Sequence, residues 1–282
     1  MTTAPRTAHE THPRADCTAD TDGRITFVLR PQADDLRSPR LLLRPRPEKG
    51  RPATTPHVLD LEPVGDGRRR AVLEPRLALA EGHWDVCLLP EPGAAERRLR
   101  PGLRDLRALV DGHLRAWPSP VSVRIPYPTK DGHLAVRAWL RTAHAEVGGI
   151  AVTDRSTTVT ARLHGASLSE GAAVHLCRRD ASGAVRTLRP RVEDDGRGFS
   201  FTVDHEELVP DDAPGRLVWD VSVRAGSADE APAIRVGRLL DDVADRKEIF
   251  VYPTASVGGA AVRPCYTADN DLCVEVTGAV RG

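Results

Sequence analysis

The sequence predicts an all-β chain of two tandem immunoglobulin-like β-sandwich units related by internal duplication, with one or two short helical turns. Three observations predict it. Landmarks recur at nearly one offset: Trp84 in GHWDVCLLP and Trp219 in LVWDVSVRAG are 135 positions apart, and Tyr127 and Tyr266, each before a polar turn, are 139 apart. Short alternating runs bounded by Gly, Pro, Asp or Ser fill both halves, the pattern of sandwich strands. The length of 282 residues suits two domains of about 150 residues each.

Taken in order, residues 1–22 (MTTAPRTAHETHPRADCTADTD) are polar and rich in Thr, Ala and Pro, and read as a disordered tail. Unit 1 is expected over 23–141, with strands at 24–30, 40–45, 57–62, 69–73, 84–90, 121–127 and 133–140. In 84–90, Val86 and Leu88 share one face and Asp85 and Cys87 the other. Asp66-Gly67 has the chemistry of a hairpin turn. Residues 103–112 place Leu103, Leu106, Leu109 and Val110 at helical spacing, which reads as one or two helical turns. The boundary is expected in 141–150, where Gly148-Gly149 breaks the pattern. Unit 2 then covers 142–282, with strands at 157–163, 172–178, 184–189, 199–203, 217–224, 233–239, 248–252, 260–266 and 272–276. Asp180 to Gly183 and Asp194-Asp195-Gly196 supply hairpin turns, and 239–245 is the counterpart of the short helical stretch in unit 1.

Forty acidic residues balance forty basic ones, so no global charge draws the chain to nucleic acid or to an anionic membrane. No stretch approaches the roughly 20 apolar residues of a membrane span. The N-terminus has no apolar run of the kind a secretory signal needs, so the expected compartment is the cytoplasm. The five cysteines, Cys17, Cys87, Cys177, Cys265 and Cys273, include no CxxC pair. Neither a zinc site nor a disulfide scaffold is expected, and no metal or other cofactor is implied.

The candidate binding residues are the landmarks: Trp84, Tyr127, Trp219, Tyr266, Asp269 and Asp271. Either tryptophan fits a packing role between sheets or a sugar-stacking platform. Either tyrosine fits a corner whose hydroxyl satisfies nearby backbone, or a ligand contact. Asp269-Asn270-Asp271 spells D-x-D, a metal-binding pattern in nucleotide-sugar transferases, but it aligns with the hairpin turn Thr129-Lys130-Asp131-Gly132 and reads as a turn. His9 and His12 lie in the expected tail, where a metal has no scaffold. His83 and His133 border landmark strands without an identifiable partner. Ser167 in GASLSEG lacks the context of a nucleophile elbow. There is no GxGxxG and no phosphate-binding GxxxxGK[ST]. The Arg-rich run 96–107 reads as a solvated face.

Trp219, Asp220, Gly237, Arg238, Asp241, Tyr266, Asp269, Asn270 and Leu272 fall at the positions of a W-D-[VL] strand, a G-R-[FL]-x-D turn and a Y-[TY]-x-D-[NG]-x-L-x-V hairpin. In this the chain resembles the β-rich accessory segments of actinobacterial cell-wall polymer transferases, of the CDP-glycerol glycerophosphotransferase and teichoic-acid glycosyltransferase type. The Rossmann-like catalytic domain of those families has no counterpart here. The resemblance implies a non-catalytic accessory module with a transferase partner or a carbohydrate or glycopolymer ligand. The alternative is a transferase or a secondary-metabolism tailoring enzyme with its site in a cleft between the units. A third reading is an assembly protein pairing through edge strands.

Overall fold

Period-two alternation builds nearly every element of the computed structural model, which describes residues 12–31, 38–47, 54–180, 182–210, 215–227 and 232–278. The chain divides into two units. One holds the residues up to Leu109 together with Val123–Trp139; the other holds Val110–Ser122 and the chain from Leu140 on. Both are all-β and sandwich-like. Among the described residues no helix is long and apolar enough to cross a membrane.

Unit 1 runs β1 (Arg14–Ala19), β2 (Ile25–Leu29), β3 (Arg40–Pro45), β4 (His57–Asp60), β5 (Glu62–Gly65), β6 (Arg68–Leu73), β7 (Gly82–Leu89), β8 (Arg97–Arg98) and β9 (Arg100–Asp105). One helical turn, α1 (Arg107–Val110), and a 3-10 turn at Gly112–Leu114 precede β10 (Val121–Pro128) and β11 (Leu134–Arg141). Unit 2 continues with β12 (His144–Val152), β13 (Ser156–His164), β14 (Ala173–Arg178), β15 (Val185–Leu188), β16 (Arg191–Val192) and β17 (Gly198–Asp204). After a 3-10 turn at Glu206–Leu208 come β18 (Arg216–Arg224), β19 (Ile234–Gly237), β20 (Ala255–Val257), β21 (Ala260–Tyr266) and β22 (Leu272–Gly278).

The strand orders of the two units match. The order β5-β6-β2-β1-β9 in unit 1 has the counterpart β16-β17-β13-β12-β19 in unit 2, and β10-β11-β7-β3-β4 has the counterpart β21-β22-β18-β14-β15. The parallel pair falls at the same place in both, β1 with β9 and β12 with β19. Register repeats as well: Trp84 faces Val136 on β11, and Trp219 faces Val274 on β22. In each unit the inward residues make the core, around Phe27, Leu43, Trp84, Val86 and Leu88 in unit 1 and Val159, Phe199, Trp219, Val223 and Val262 in unit 2.

Several expectations are corrected. Part of the expected disordered tail, Arg14–Ala19, is strand β1, with Ala15, Cys17 and Ala19 buried against β2. Its alternation is carried by side chains too small to register as hydrophobic; residues 1–11, His9 among them, lie outside the described residues. Gly148-Gly149 does not interrupt the chain between units. It lies within β12, where the register against β13 shifts between Val147 and Gly149, a β-bulge. The expected strand 57–62 divides at buried Leu61, so that β4 and β5 join different sheets. Leu103, assigned to a helical turn, is an exposed residue of β9, and the turn itself starts only at Arg107. Residues 239–245 contain no helix and 248–252 no strand. Asp66-Gly67 does make the tight turn between β5 and β6, with φ of 52° and 69°, the left-handed pair a two-residue hairpin requires.

Candidate functional site

Strand alternation decides where the landmark side chains go. Trp84 and Trp219 point inward and are 1% exposed each, so neither ring offers a face to a ligand. Each indole N–H donates to an upstream backbone carbonyl, Trp84 to Ala80 at 3.0 Å and Trp219 to Leu208 at 3.1 Å. The aspartates that follow take the opposite face and are held by arginines. Asp85 accepts from Arg46 at 2.6 Å, with Arg98 and Arg44 alongside. Burial pushes the Asp85 carboxyl up, but the three guanidiniums outweigh it and hold it below the usual carboxylate range. Asp220 pairs with Arg179 at 2.6 Å nearer the surface.

The tyrosines differ. Tyr127 is half-buried, its hydroxyl 2.6 Å from His83 Nδ1. Tyr266 is buried, and its hydroxyl accepts from Tyr252 at 3.4 Å. The turns after them are the same structure. Thr129 N–H donates to His133 C=O and Thr267 N–H to Asp271 C=O, both at 2.8 Å. In each turn the threonine hydroxyl accepts the N–H of the closing residue, His133 at 2.9 Å and Asp271 at 3.2 Å. Gly132 and Asn270 hold the left-handed position, with φ of 77° and 60°. The D-x-D segment is therefore a hairpin turn. The Asp269 N–H donates to Thr267 Oγ1, and the Asp271 carboxylate pairs with Arg141 at 2.8 Å and Arg235 at 3.3 Å. Among the described residues no group of three or more His, Cys, Asp and Glu could hold a metal ion.

Three of the motif positions, Arg238, Asp241 and Asn270, converge on a residue outside the motif, Arg246, which is fully buried. Its N–H donates to Asn270 Oδ1 at 3.0 Å, its Nε–H donates to the Arg238 carbonyl at 2.7 Å, and its guanidinium pairs with Asp241. Asn270 Nδ2 reaches the Val243 carbonyl at 3.2 Å. Gly237 is required because a Cβ there would lie 2.6 Å from the Asn270 carbonyl oxygen. Arg246 stacks over Phe250 at 4.8 Å, and Arg238 does so at 5.5 Å. The cluster thus fixes the segment that follows it.

That segment forms one wall of a cleft of about 480 Å³ within unit 2. Lys247, Phe250 and Tyr252 line it from the segment, and Arg179, Arg216 and Arg263 from the sheet. Four cations line it with two carboxylates, Glu248 and Glu275, and a third, Asp220, lies against Arg179. Glu275 is bound by Arg216 and, at 3.0 Å, by Arg263. Tyr266 lies at the inner end, its ring 6.1 Å from those of Phe250 and Tyr252. Burial holds the Tyr266 phenol neutral by pushing its pKa up. Of the six candidate residues only Tyr266 lines this cleft. Phe250, Tyr252 and Lys247 are hidden in the sequence because E-I-F-V-Y reads as a strand; in fact 247–249 form a turn, closed by the Ile249 and Phe250 N–H groups on the Arg246 carbonyl.

A second buried group escaped the sequence reading. Glu146 on β12 accepts the Leu239 and Leu240 N–H groups at 2.8 and 3.1 Å and lies 2.9 Å from His144 Nε2. Arg141 Nη1 donates to His144 Nδ1 at 3.1 Å, which leaves the ring proton on Nε2, directed at Glu146. Burial pushes the Glu146 carboxyl up to about 7 against the pull of those two N–H donors. Asp16 on β1 has the corresponding bond in unit 1, accepting Leu103 N–H at 2.7 Å. An acid on the first strand that ties down the end of its parallel neighbour is thus shared by both units.

The strands and this cleft define a β-sandwich protein with a mixed aromatic and cationic groove. The sequence matches no protein-family model and no curated protein. Among solved structures, S. aureus TarS overlaps 73% of this chain at 16% identity with a TM-score of 0.29, over 38% of its own length. The TarS fragment 217–571 gives the same overlap, identity and score over 59% of its length. A tetra-tandem repeat from the extending region of a large adhesion protein overlaps 95% of this chain at 10% identity and a TM-score of 0.21, over 63% of its length. The chain spans less than two thirds of any of these. At such TM-scores neither a relationship nor an activity follows from these likenesses.

Proposed function

We propose that this chain is a non-catalytic accessory protein that binds an anionic, teichoic-acid-like glycopolymer in the unit 2 cleft and works beside a cell-envelope glycopolymer transferase. In this reading the two units are immunoglobulin-like copies of one ancestral module, which the matched strand orders support. One observation carries the binding role: the cleft joins aromatic faces, Phe250 and Tyr252, to an excess of cations, Arg179, Arg216, Lys247 and Arg263. A polyol-phosphate chain presents both kinds of surface, apolar C–H faces to the rings and phosphates to the cations. A cytoplasmic setting belongs to the same reading, supported by five cysteines that are all free.

Isothermal titration with a poly(glycerol phosphate) chain tests it, with neutral dextran as the control. Binding is expected to weaken with added salt, as screened charge contacts must. Replacing Lys247 and Tyr252 together by alanine should weaken it about tenfold or more, roughly 1.4 kcal/mol. Equal affinity for dextran and the phosphate polymer would refute the reading.

A further inference from the structure

The β21–β22 hairpin holds a cysteine pair that the binding role does not use. Cys265 and Cys273 are direct cross-strand partners, and their Sγ atoms lie 2.8 Å apart. The register is unbroken from Tyr266–Leu272 through this pair to the far end of the hairpin. The Thr267 N–H donates to the Asp271 C=O, so the alternation of antiparallel pairs makes Cys265–Cys273 a hydrogen-bonded pair. Cα atoms in such a pair are about 5.5 Å apart, inside the range of roughly 4.4–6.8 Å that a disulfide spans. The turn that sets this register is held by Asn270, which is fully buried and bonded to the 243–246 segment. The two sulfurs are therefore presented to each other by a fixed frame. Both line the cleft, Cys265 partly exposed and Cys273 buried, with Arg179, Arg216 and Arg263 around them.

We infer that Cys265 and Cys273 form a redox-responsive dithiol site, closed to an intramolecular disulfide by a peroxide. The surroundings assign the roles. The Cys273 hydrogen bond lowers the Cys265 pKa; burial and Glu275 oppose it, and Arg263 and Arg216 assist. The Cys273 thiol is pushed up, by that same hydrogen bond and by burial. Cys265 is thus the attacking thiolate and Cys273 the resolving thiol. The Cys265 thiolate attacks one oxygen of hydrogen peroxide, the O–O bond breaks, and hydroxide leaves. Sulfur has then lost two electrons and is a sulfenic acid. Cys273 Sγ attacks that sulfur, the S–S bond forms, and the sulfenic oxygen leaves as water with the thiol proton. The site differs from Cys17 and Cys87, whose thiols burial pushes up to about 12 and about 11.

The test uses the reduced full chain and dilute hydrogen peroxide, followed by alkylation under denaturing conditions and peptide mass mapping. The free-thiol count should fall from five to three, with one linked peptide joining Cys265 to Cys273, reversed by dithiothreitol. Replacing Cys273 by serine should abolish the linked peptide and leave Cys265 trappable as a sulfenic acid by dimedone. Loss of thiols without that peptide, linkage through another cysteine, or oxidation of Cys17 and Cys87 at the rate of Cys265 would overturn the inference. None of these readouts depends on polymer binding.

Discussion

The hairpin turns after Tyr127 and Tyr266 share a backbone and differ at their left-handed position. Both are closed by a threonine hydroxyl and both pass through a left-handed residue, Gly132 in one and Asn270 in the other. Glycine needs no side chain to adopt that conformation. Asparagine tolerates it and adds an amide, which here grips the Arg246 N–H and the Val243 carbonyl. The left-handed residue of one turn therefore makes no side-chain contact, while that of the other anchors a segment that walls a cleft. The first-strand acids teach the same lesson. Asp16 is partly exposed and pairs with Arg30, whereas Glu146, 3% exposed, sits in a polar network with His144 and Arg141. The frame is held in common, and the added polar clamps of unit 2 build its groove.

The two tryptophans are expected to behave alike. Trp84→Ala and Trp219→Ala should each cost about 3–5 kcal/mol, the usual penalty for emptying a buried aromatic site, read by urea unfolding. A cost under about 1 kcal/mol for either one would mean that the two strands do not play one role. Next comes the difference between the acids. The folded-state pKa of Glu146, about 7, lies above its ordinary value of 4.5, so the folded protein binds the extra proton. The stability this group contributes is full below pH 4.5 and falls as pH rises toward 7, by an amount on the order of 3 kcal/mol. His164 works in the opposite sense. Burial, aided by His144, pushes its pKa down to about 4, so its contribution is lost as pH falls from 6.5 to 4. The reading is therefore the difference between the wild type and Glu146→Gln, measured by urea unfolding at several pH values. The variant should lack the decline between pH 4.5 and 7 that the wild type owes to this carboxyl, and parallel curves would contradict it.

Asn270→Gly keeps the left-handed turn but removes the amide, and should cost about 1–2 kcal/mol for the two lost hydrogen bonds. Amide exchange should speed up over 243–252 and stay unchanged in β21 and β22. In Gly132→Asn, exchange in the 129–133 hairpin should stay within the scatter of the wild type.

Much of the frame was legible in the sequence, because large residues mark it. Trp84, Trp219 and the Asp66-Gly67 turn announce strands and hairpins through size, alternation and backbone preference. β1 stayed hidden because Ala15, Cys17 and Ala19 alternate without bulk, and β12 because a bulge at Gly148-Gly149 resembles a break. The cleft was harder still. Its wall residues sit in a turn and the irregular chain after it, with a strand-like composition, and what holds them is Arg246, a charged residue that composition places at the surface. Only the three-dimensional convergence of Asn270, Arg238 and Asp241 on that arginine reveals a buried clamp. Threonines 129 and 267 mark the two turns more faithfully than the tyrosines do, since Thr129 stands two residues after Tyr127 and Thr267 one residue after Tyr266.

Unit 2 is expected to carry the binding groove, which is tested by mapping residues by NMR while poly(glycerol phosphate) is added to the full chain. Perturbations should cluster at Lys247, Phe250, Tyr252 and Arg263 and leave the hairpin around Tyr127 and Gly132 silent. Perturbations centred on the Tyr127 hairpin, or none at polymer concentrations that saturate the calorimetric signal, would contradict it.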